Sequence, residues 1–116
     1  VFAYHPVASA NGNPAFNRVS TFTANGNSAT SANPTPLIDL SPLGANTNHN
    51  GGALRFGPDG KLYVSTGDAA FSPANSQSLT NLHGKILRYN ANGSIPLDNP
   101  LLSSTTGANQ AIFQYG

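Results

Sequence analysis

An all-β fold built from repeated, blade-like strand units is what this 116-residue sequence predicts, on three observations. Short apolar or β-branched runs recur between turn residues, no long stretch carries apolar residues at helical spacing, and one strand-and-turn pattern occurs twice. Gly (12) and Pro (9), with abundant Asn, Ser and Thr, give the composition of a turn-rich β protein.

Seven runs have strand composition: 1–5, 18–23, 37–40, 53–56, 62–66, 85–89 and 111–115. Turn chemistry separates them. Asn25-Gly26 and Asn92-Gly93 tolerate positive φ, and Pro58-Asp59-Gly60 has the order of a type I turn followed by a left-handed glycine. The Pro/Ser/Thr/Asn-rich segments 28–36 and 96–109 are expected to cross the surface between elements.

The repeat appears when Arg18-Val19-Ser20-Thr21-Phe22-Thr23-Ala24-Asn25-Gly26 is laid over Lys85-Ile86-Leu87-Arg88-Tyr89-Asn90-Ala91-Asn92-Gly93, an offset of 67. Phe2-Ala3-Tyr4 falls over Tyr63-Val64-Ser65 at an offset of 61. Strand, long insert, strand and Asn-Gly turn thus recur, as they do in propeller blades with loop insertions. Two blade-like repeats are expected, at roughly 1–47 and 48–116. Because a blade buries its faces against its neighbours, two make a poor finished ring, and the chain is expected to be incomplete at both ends.

Composition narrows the function. Five Lys/Arg against four Asp/Glu, with no Glu at all, leave a net charge of +1 that cannot hold a phosphate backbone, so nucleic acid is not an expected partner. Absence of cysteine excludes disulfides, thiolate metal sites and a cysteine nucleophile. No apolar run is long enough for a membrane span. The chain opens directly in a strand-like run, so any targeting segment is expected to have been removed or to lie upstream. No His/Asp/Glu spacing forms a metal site, and no Gly-rich loop is followed by the Lys-Ser/Thr of a phosphate loop. His5 and His83 read as structural or solvated. The sequence sets no oligomeric state.

The most informative stretch runs from Asn48-His49-Asn50-Gly51-Gly52 through Gly57-Pro58-Asp59-Gly60 to Thr66-Gly67-Asp68 and should form one β-hairpin. With the turn centred between Pro58 and Asp59, Phe56 opposes Lys61, Leu54 opposes Tyr63, and His49 meets Asp68 at the open end. Opposed residues have β-carbons about 4.5–5.5 Å apart, so the carboxylate can hold one imidazole nitrogen and leave the other to accept a proton. A bulge at Gly60 shifts the register by one and sets Asp68 beside Asn50 instead. Gly51 and Gly52 are expected to leave room for a ligand near the backbone. Spacing alone also allows a plain reading, with His49 a hydrogen-bonded loop residue and Asp68 a turn former.

These residues resemble a known family. The 48–63 run, then Gly67-Asp68, Gly84-Lys85-Ile86-Leu87-Arg88 and Gly93-Ser94-Ile95-Pro96-Leu97-Asp98-Asn99-Pro100, resemble in order the motifs of the glucose/sorbosone dehydrogenases, which are soluble, exported, quinone-dependent aldose dehydrogenases. The resemblance implies about two blades of a six-bladed β-propeller that binds pyrroloquinoline quinone and calcium, oxidises a sugar at its anomeric carbon, and passes electrons to an external acceptor. It implies a secreted or periplasmic location. His49 matches the family's base, which takes the sugar's hydroxyl proton while hydride passes to the quinone, and Asp68 matches the acid that supports it. Asn48 matches a polar residue near the sugar, and Gln77 falls in a loop, with Asn75, that borders the substrate. The quinone-contacting Arg-Asn-Pro segment and the calcium loop would follow beyond Gly116, so cofactor ligands are expected mostly outside this chain. The alternative function is a non-catalytic propeller segment that binds glycans or protein partners.

Overall fold

The computed structural model describes residues 1–29, 34–70 and 72–116. β1 (Phe2–Val7), β2 (Phe16–Thr21), the two-residue strands β3 (Ala24–Asn25) and β4 (Ser28–Ala29), and β5 (Thr35–Pro42) fill the first part. β6 (Gly51–Phe56), β7 (Leu62–Thr66), the single-turn helix α1 (Ala74–Gln77), β8 (Lys85–Tyr89), a 3-10 turn (Gly107–Ala111) and β9 (Ile112–Tyr115) follow. All pairings are antiparallel: one sheet has the order β1-β2-β5, a second the order β6-β7-β8-β9, and β3 pairs with β4.

Each of the seven expected strand runs is a strand. β1 continues through Pro6 because it lies at the edge of its sheet, where a missing N–H breaks no ladder bond. β2 starts at Phe16 because Asn11 (φ +52°) and Gly12 (φ +80°) close a tight turn between Ala10 and Asn13 that returns the chain early. Of the expected 28–36 connection, residues 30–33 lie outside the described residues; its ends are β4 and the start of β5. The 96–109 segment does link β8 to β9, but it is not a plain surface loop. Asn99 is buried and its amide donates to the carbonyls of Arg88 (3.1 Å) and Gln110 (3.0 Å).

The sequence repeat is also a repeat of pairing. Tyr4 opposes Val19, and Ser65 opposes Ile86, which are their counterparts at the two sequence offsets. β1 and β2 therefore stand to one another as β7 and β8 do, and both pairs direct alternate residues into a shared core. Val19, Ile38 and Leu40 enter it from the first sheet, and Leu62, Val64, Leu87, Tyr89 and Ile112 from the second. Leu62, Leu87 and Ile112 are fully buried, each side chain stabilising the fold by roughly 1.5–3 kcal/mol.

The β6–β7 hairpin corrects the expected register. Near its turn Phe56 opposes Leu62 and Leu54 opposes Val64, not Lys61 and Tyr63, because Gly60 (φ +70°) forms the bulge that was the alternative. A second irregularity between Gly51 and Leu54 then restores the first register, so Gly51 opposes Thr66. The two bulges offset one another. Both registers are present, in different halves of one hairpin, and the first holds at the open end where His49 and Asp68 lie.

At the turn end, Arg88 ties three segments together. Its guanidinium donates to Asp59 Oδ2 (2.9 and 3.1 Å), to Asp98 (2.9 and 3.1 Å) and to Asn99 Oδ1 (3.0 Å), while the Tyr63 hydroxyl also donates to Asp59 (3.0 Å). Partial desolvation pushes the Asp59 carboxyl up, but the Lys61 N–H, Arg88 and Tyr63 together hold it below the usual carboxylate range; Asp98 is held low first by Arg88. Carboxyls depressed in the folded state stabilise it fully above their unfolded pKa, about 4. That contribution is lost as pH falls through the lower folded values. Thermal midpoints are thus expected to hold from pH 7 to about 5 and to drop below about 4, with a shallower acid drop in Asp98→Asn. An identical acid profile in that variant would remove Asp98 from the account.

Candidate active site

His49 ends the connection from β5 to β6, and Asp68 follows β7, so the antiparallel pairing brings them together at one end of the hairpin. His49 Nδ1 lies 2.9 Å from Asp68 Oδ1. A carboxylate can only accept, so Nδ1 carries the proton and Nε2 holds the basic lone pair. Nε2 has no hydrogen-bond partner among the described residues, and the His49 side chain is 59% exposed against 27% for Asp68. The imidazole is held on one side and presented on the other.

The backbone is tightly constrained here. His49 (φ +57°), Ala69 (φ +60°) and Ala70 (φ +54°) are left-handed without being glycine, a conformation that costs roughly 1–2 kcal/mol per residue. Such strain persists only where surrounding bonds over-determine it. The Ala69 N–H donates to the His49 carbonyl (3.1 Å), and the Ala70 N–H donates to Asp68 Oδ1 (3.0 Å). The Ala70 N–H first, and the His49 ring second, hold the Asp68 carboxyl below its usual range, so it is an anion when it meets the imidazole.

The glycines here allow a close approach of backbones as well as bordering open space. A Cβ on Gly51 would stand 2.6 Å from Gly67 N and 2.7 Å from the Ser65 carbonyl oxygen, and one on Gly52 would meet the Tyr4 ring at 3.1 Å. The space is filled by protein. Their absent side chains let two backbones and a ring close behind His49, while the Gly51 backbone also borders the cavity beside the pair, as expected of a glycine that leaves room for a ligand.

A cavity of about 550 Å³ opens beside the pair, lined among others by His49, Thr66, Asp68, Ser76, Lys85 and Tyr115. Of the expected substrate contacts, Asn48 is exposed and Gln77 sits at the end of α1 rather than in a loop. Neither lines this cavity; Ser76, next to Gln77, does. His83 is buried, and that burial pushes its imidazole down, in keeping with a structural histidine. His5 bonds Ser20 Oγ through Nε2 (3.0 Å).

Lys85 was not singled out from sequence, although a signal existed. It shares the inward face of β8 with Leu87 and Tyr89 by strand alternation. It is 3% exposed, and its ammonium donates to the carbonyls of Asn75 (2.8 Å), Ser76 (3.0 Å) and His83, drawing α1 against the strand that borders the cavity. Burial pushes its pKa down.

A family model, Glucose / Sorbosone dehydrogenase, matches residues 1–116. The chain belongs to that family. It is 39% identical over 69 residues to the aldose sugar dehydrogenase YliI of Escherichia coli (strain K12), a match covering 60% of this chain and 18% of the relative. Its fold matches the soluble aldose sugar dehydrogenase of Escherichia coli in the apo form with a TM-score of 0.81 at 27% identity, over 99% of this chain and 32% of that one. The PQQ-bound aldose sugar dehydrogenase of Streptomyces coelicolor matches with a TM-score of 0.67 at 25% identity, over 99% of this chain and 31% of that one. The chain thus spans about a third of the length of these structures and has the fold of about one third of a six-bladed propeller dehydrogenase.

The cofactors of such dehydrogenases find little to hold them here. Among the described residues no group of three or more His, Cys, Asp or Glu could hold a metal ion. A tricarboxylate quinone calls for free cations, yet among the described residues the one lysine or arginine lining the cavity is Lys85, whose ammonium already serves three carbonyls.

Proposed function

We propose that this chain supplies the proton-abstracting part of a quinone-dependent aldose dehydrogenase, with His49 as general base. The observation that carries the reading is the His49 Nδ1 to Asp68 Oδ1 contact at 2.9 Å, which leaves Nε2 basic and presented beside a cavity of about 550 Å³. Nε2 accepts the proton of the anomeric hydroxyl as the anomeric C–H bond breaks, the carbon becoming that of a lactone. The quinone, held with calcium by residues outside this chain, supplies the hydride acceptor. Asp68 fixes the tautomer and stabilises the imidazolium that forms. Asn48 and Gln77, near the rim, are proposed to meet the sugar only when the rest of the ring is present.

The two sheets are read as blade-like units, roughly 1–47 and 48–116, of a protein working outside the cytoplasmic membrane, secreted or periplasmic. Family membership supports the reaction class. The test is aldose-dependent reduction of a redox dye by the whole protein supplied with quinone and calcium. Turnover is expected for the whole protein and none for the 116 residues alone. Failure of every aldose to reduce the dye would favour a propeller that binds glycans or proteins without chemistry.

A further inference from the structure

Tyr4 and Asn17 are polar residues on a face made for burial. Tyr4 opposes Val19 in the β1–β2 ladder and Asn17 opposes Pro6, so the two are diagonal neighbours on the side that carries Val19 into the core. Asn17 is 4% exposed and Tyr4 is half-buried. A buried amide or hydroxyl without a partner is costly, so what these groups bond indicates what they hold in place.

Both hold one residue. The Tyr4 hydroxyl donates to the Asn50 main-chain carbonyl (2.6 Å), and the Asn17 amide donates to Asn50 Oδ1 (2.9 Å). The Asn50 amide in turn donates to the Thr47 carbonyl (3.0 Å), closing the bend that contains His49. The Tyr4 ring lies over Gly52, two residues further on. The first sheet thus grips the segment 50–52, which has no side chain of its own at Gly51 or Gly52 to anchor it.

His49 is the residue directly before that grip. Its left-handed φ is fixed on the second-sheet side by the Ala69 N–H, which bonds its carbonyl. That carbonyl belongs to the 49–50 peptide, and Gly51 beyond it pairs with Thr66, so the second sheet holds the backbone on either side of Asn50 while the first sheet holds the Asn50 side chain and its carbonyl. Releasing Asn50 from the first sheet would remove half of that restraint, letting the strained backbone at His49 relax and the exposed imidazole drift off Asp68.

We propose that Tyr4 and Asn17 are positioning residues for His49: through Asn50 they lock the left-handed backbone that presents the imidazole to Asp68. This deepens, and in its kinetic part rests on, the reading of His49 as the base. It also gives the first sheet a role in chemistry carried by the second.

The test uses the whole protein with quinone and calcium, and Tyr4→Phe, which keeps the ring over Gly52 and removes only the hydroxyl. Two measurements are made: steady-state kinetics with an aldose, and 15N NMR of the imidazole nitrogens of His49. The expected result is a kcat lowered about 10-fold with KM changed less than about 2-fold, since misplacing a base costs the reacting step more than binding. The His49 Nδ1 signal should move from a fixed protonated tautomer towards a mixture. Asn17→Ser, which leaves the tyrosine intact, should shift both readouts the same way. A variant with a lower thermal midpoint but unchanged kcat and unchanged His49 spectrum would show plain adhesion between sheets and overturn the proposal. The spectrum decides independently of catalysis: if His49→Gln proves fully active, the base reading fails, and the tautomer shift in Tyr4→Phe still supports or refutes the relay.

Discussion

Replacing His49 by Gln in the whole protein is expected to lower kcat for aldose oxidation by about 10²–10⁴-fold, the usual worth of a positioned general base. Gln keeps much of the size of the imidazole and an amide that can still donate towards Asp68. What it lacks is a nitrogen lone pair able to take a proton. Because the side chain is more than half exposed, 59% in this chain, the substitution opens no core cavity and should leave the thermal midpoint within a few degrees. Quinone binding should survive as well, since no described residue beside His49 offers a free cation to the cofactor. Steady-state kinetics with an aldose, together with titration of the quinone by its absorbance, separates these effects. Turnover within a few-fold of the parent protein would end the assignment of His49 as the base.

The legibility of this site in the sequence follows the length of the contacts involved. His49 and Asp68 were readable because one hairpin joins them, so turn residues and alternation fix their meeting once the register is known. The register itself was half readable. Pro58-Asp59-Gly60 announced the first bulge, but the second lies at Gly52-Ala53, where nothing local requires it; it exists because the β7 backbone and the Tyr4 ring close in on that segment. The same cause explains why Gly52 does not face open space, since the ring it meets is that of Tyr4, 48 positions earlier in the chain, whereas Gly51 does border the cavity. The grip of Tyr4 and Asn17 on Asn50 was invisible for that reason too. Lys85 shows the opposite failure, a signal present in strand parity that the charge of the side chain hid. Asp59, Arg88, Asp98 and Asn99, which lie in the runs that carry the family resemblance, brace the far end of the sheet from the His49–Asp68 pair.

Gly67→Ala should be as damaging as loss of the base, by geometry alone. Gly67 does not have the positive φ that strains L residues, so alanine could adopt its conformation; the obstacle is what stands in front of it. Its Cβ would lie 1.7 Å from the His49 carbonyl oxygen and 2.3 Å from the His49 carbonyl carbon, both backbone atoms. β7 cannot step aside, because β8 is paired on its other side and the Gly84 N–H donates to the Gly67 carbonyl (2.9 Å). The strain must therefore be relieved at His49, by breaking its bond from the Ala69 N–H and carrying the imidazole away from Asp68. We expect kcat to fall about 100-fold or more, as for a base displaced by an ångström or so, with a stability loss of about 1–3 kcal/mol from overpacking. Gly60→Ala is the contrasting control: its φ of +70° strains alanine, but nothing lies within 4 Å of the new methyl, and the site is at the other end of the hairpin. That variant should lose about 1–2 kcal/mol and keep its turnover. Kinetics and denaturant midpoints on the two variants separate damage to the site from damage to the hairpin. Wild-type kcat in Gly67→Ala would mean that the close approach of the two backbones is not what holds His49 in place.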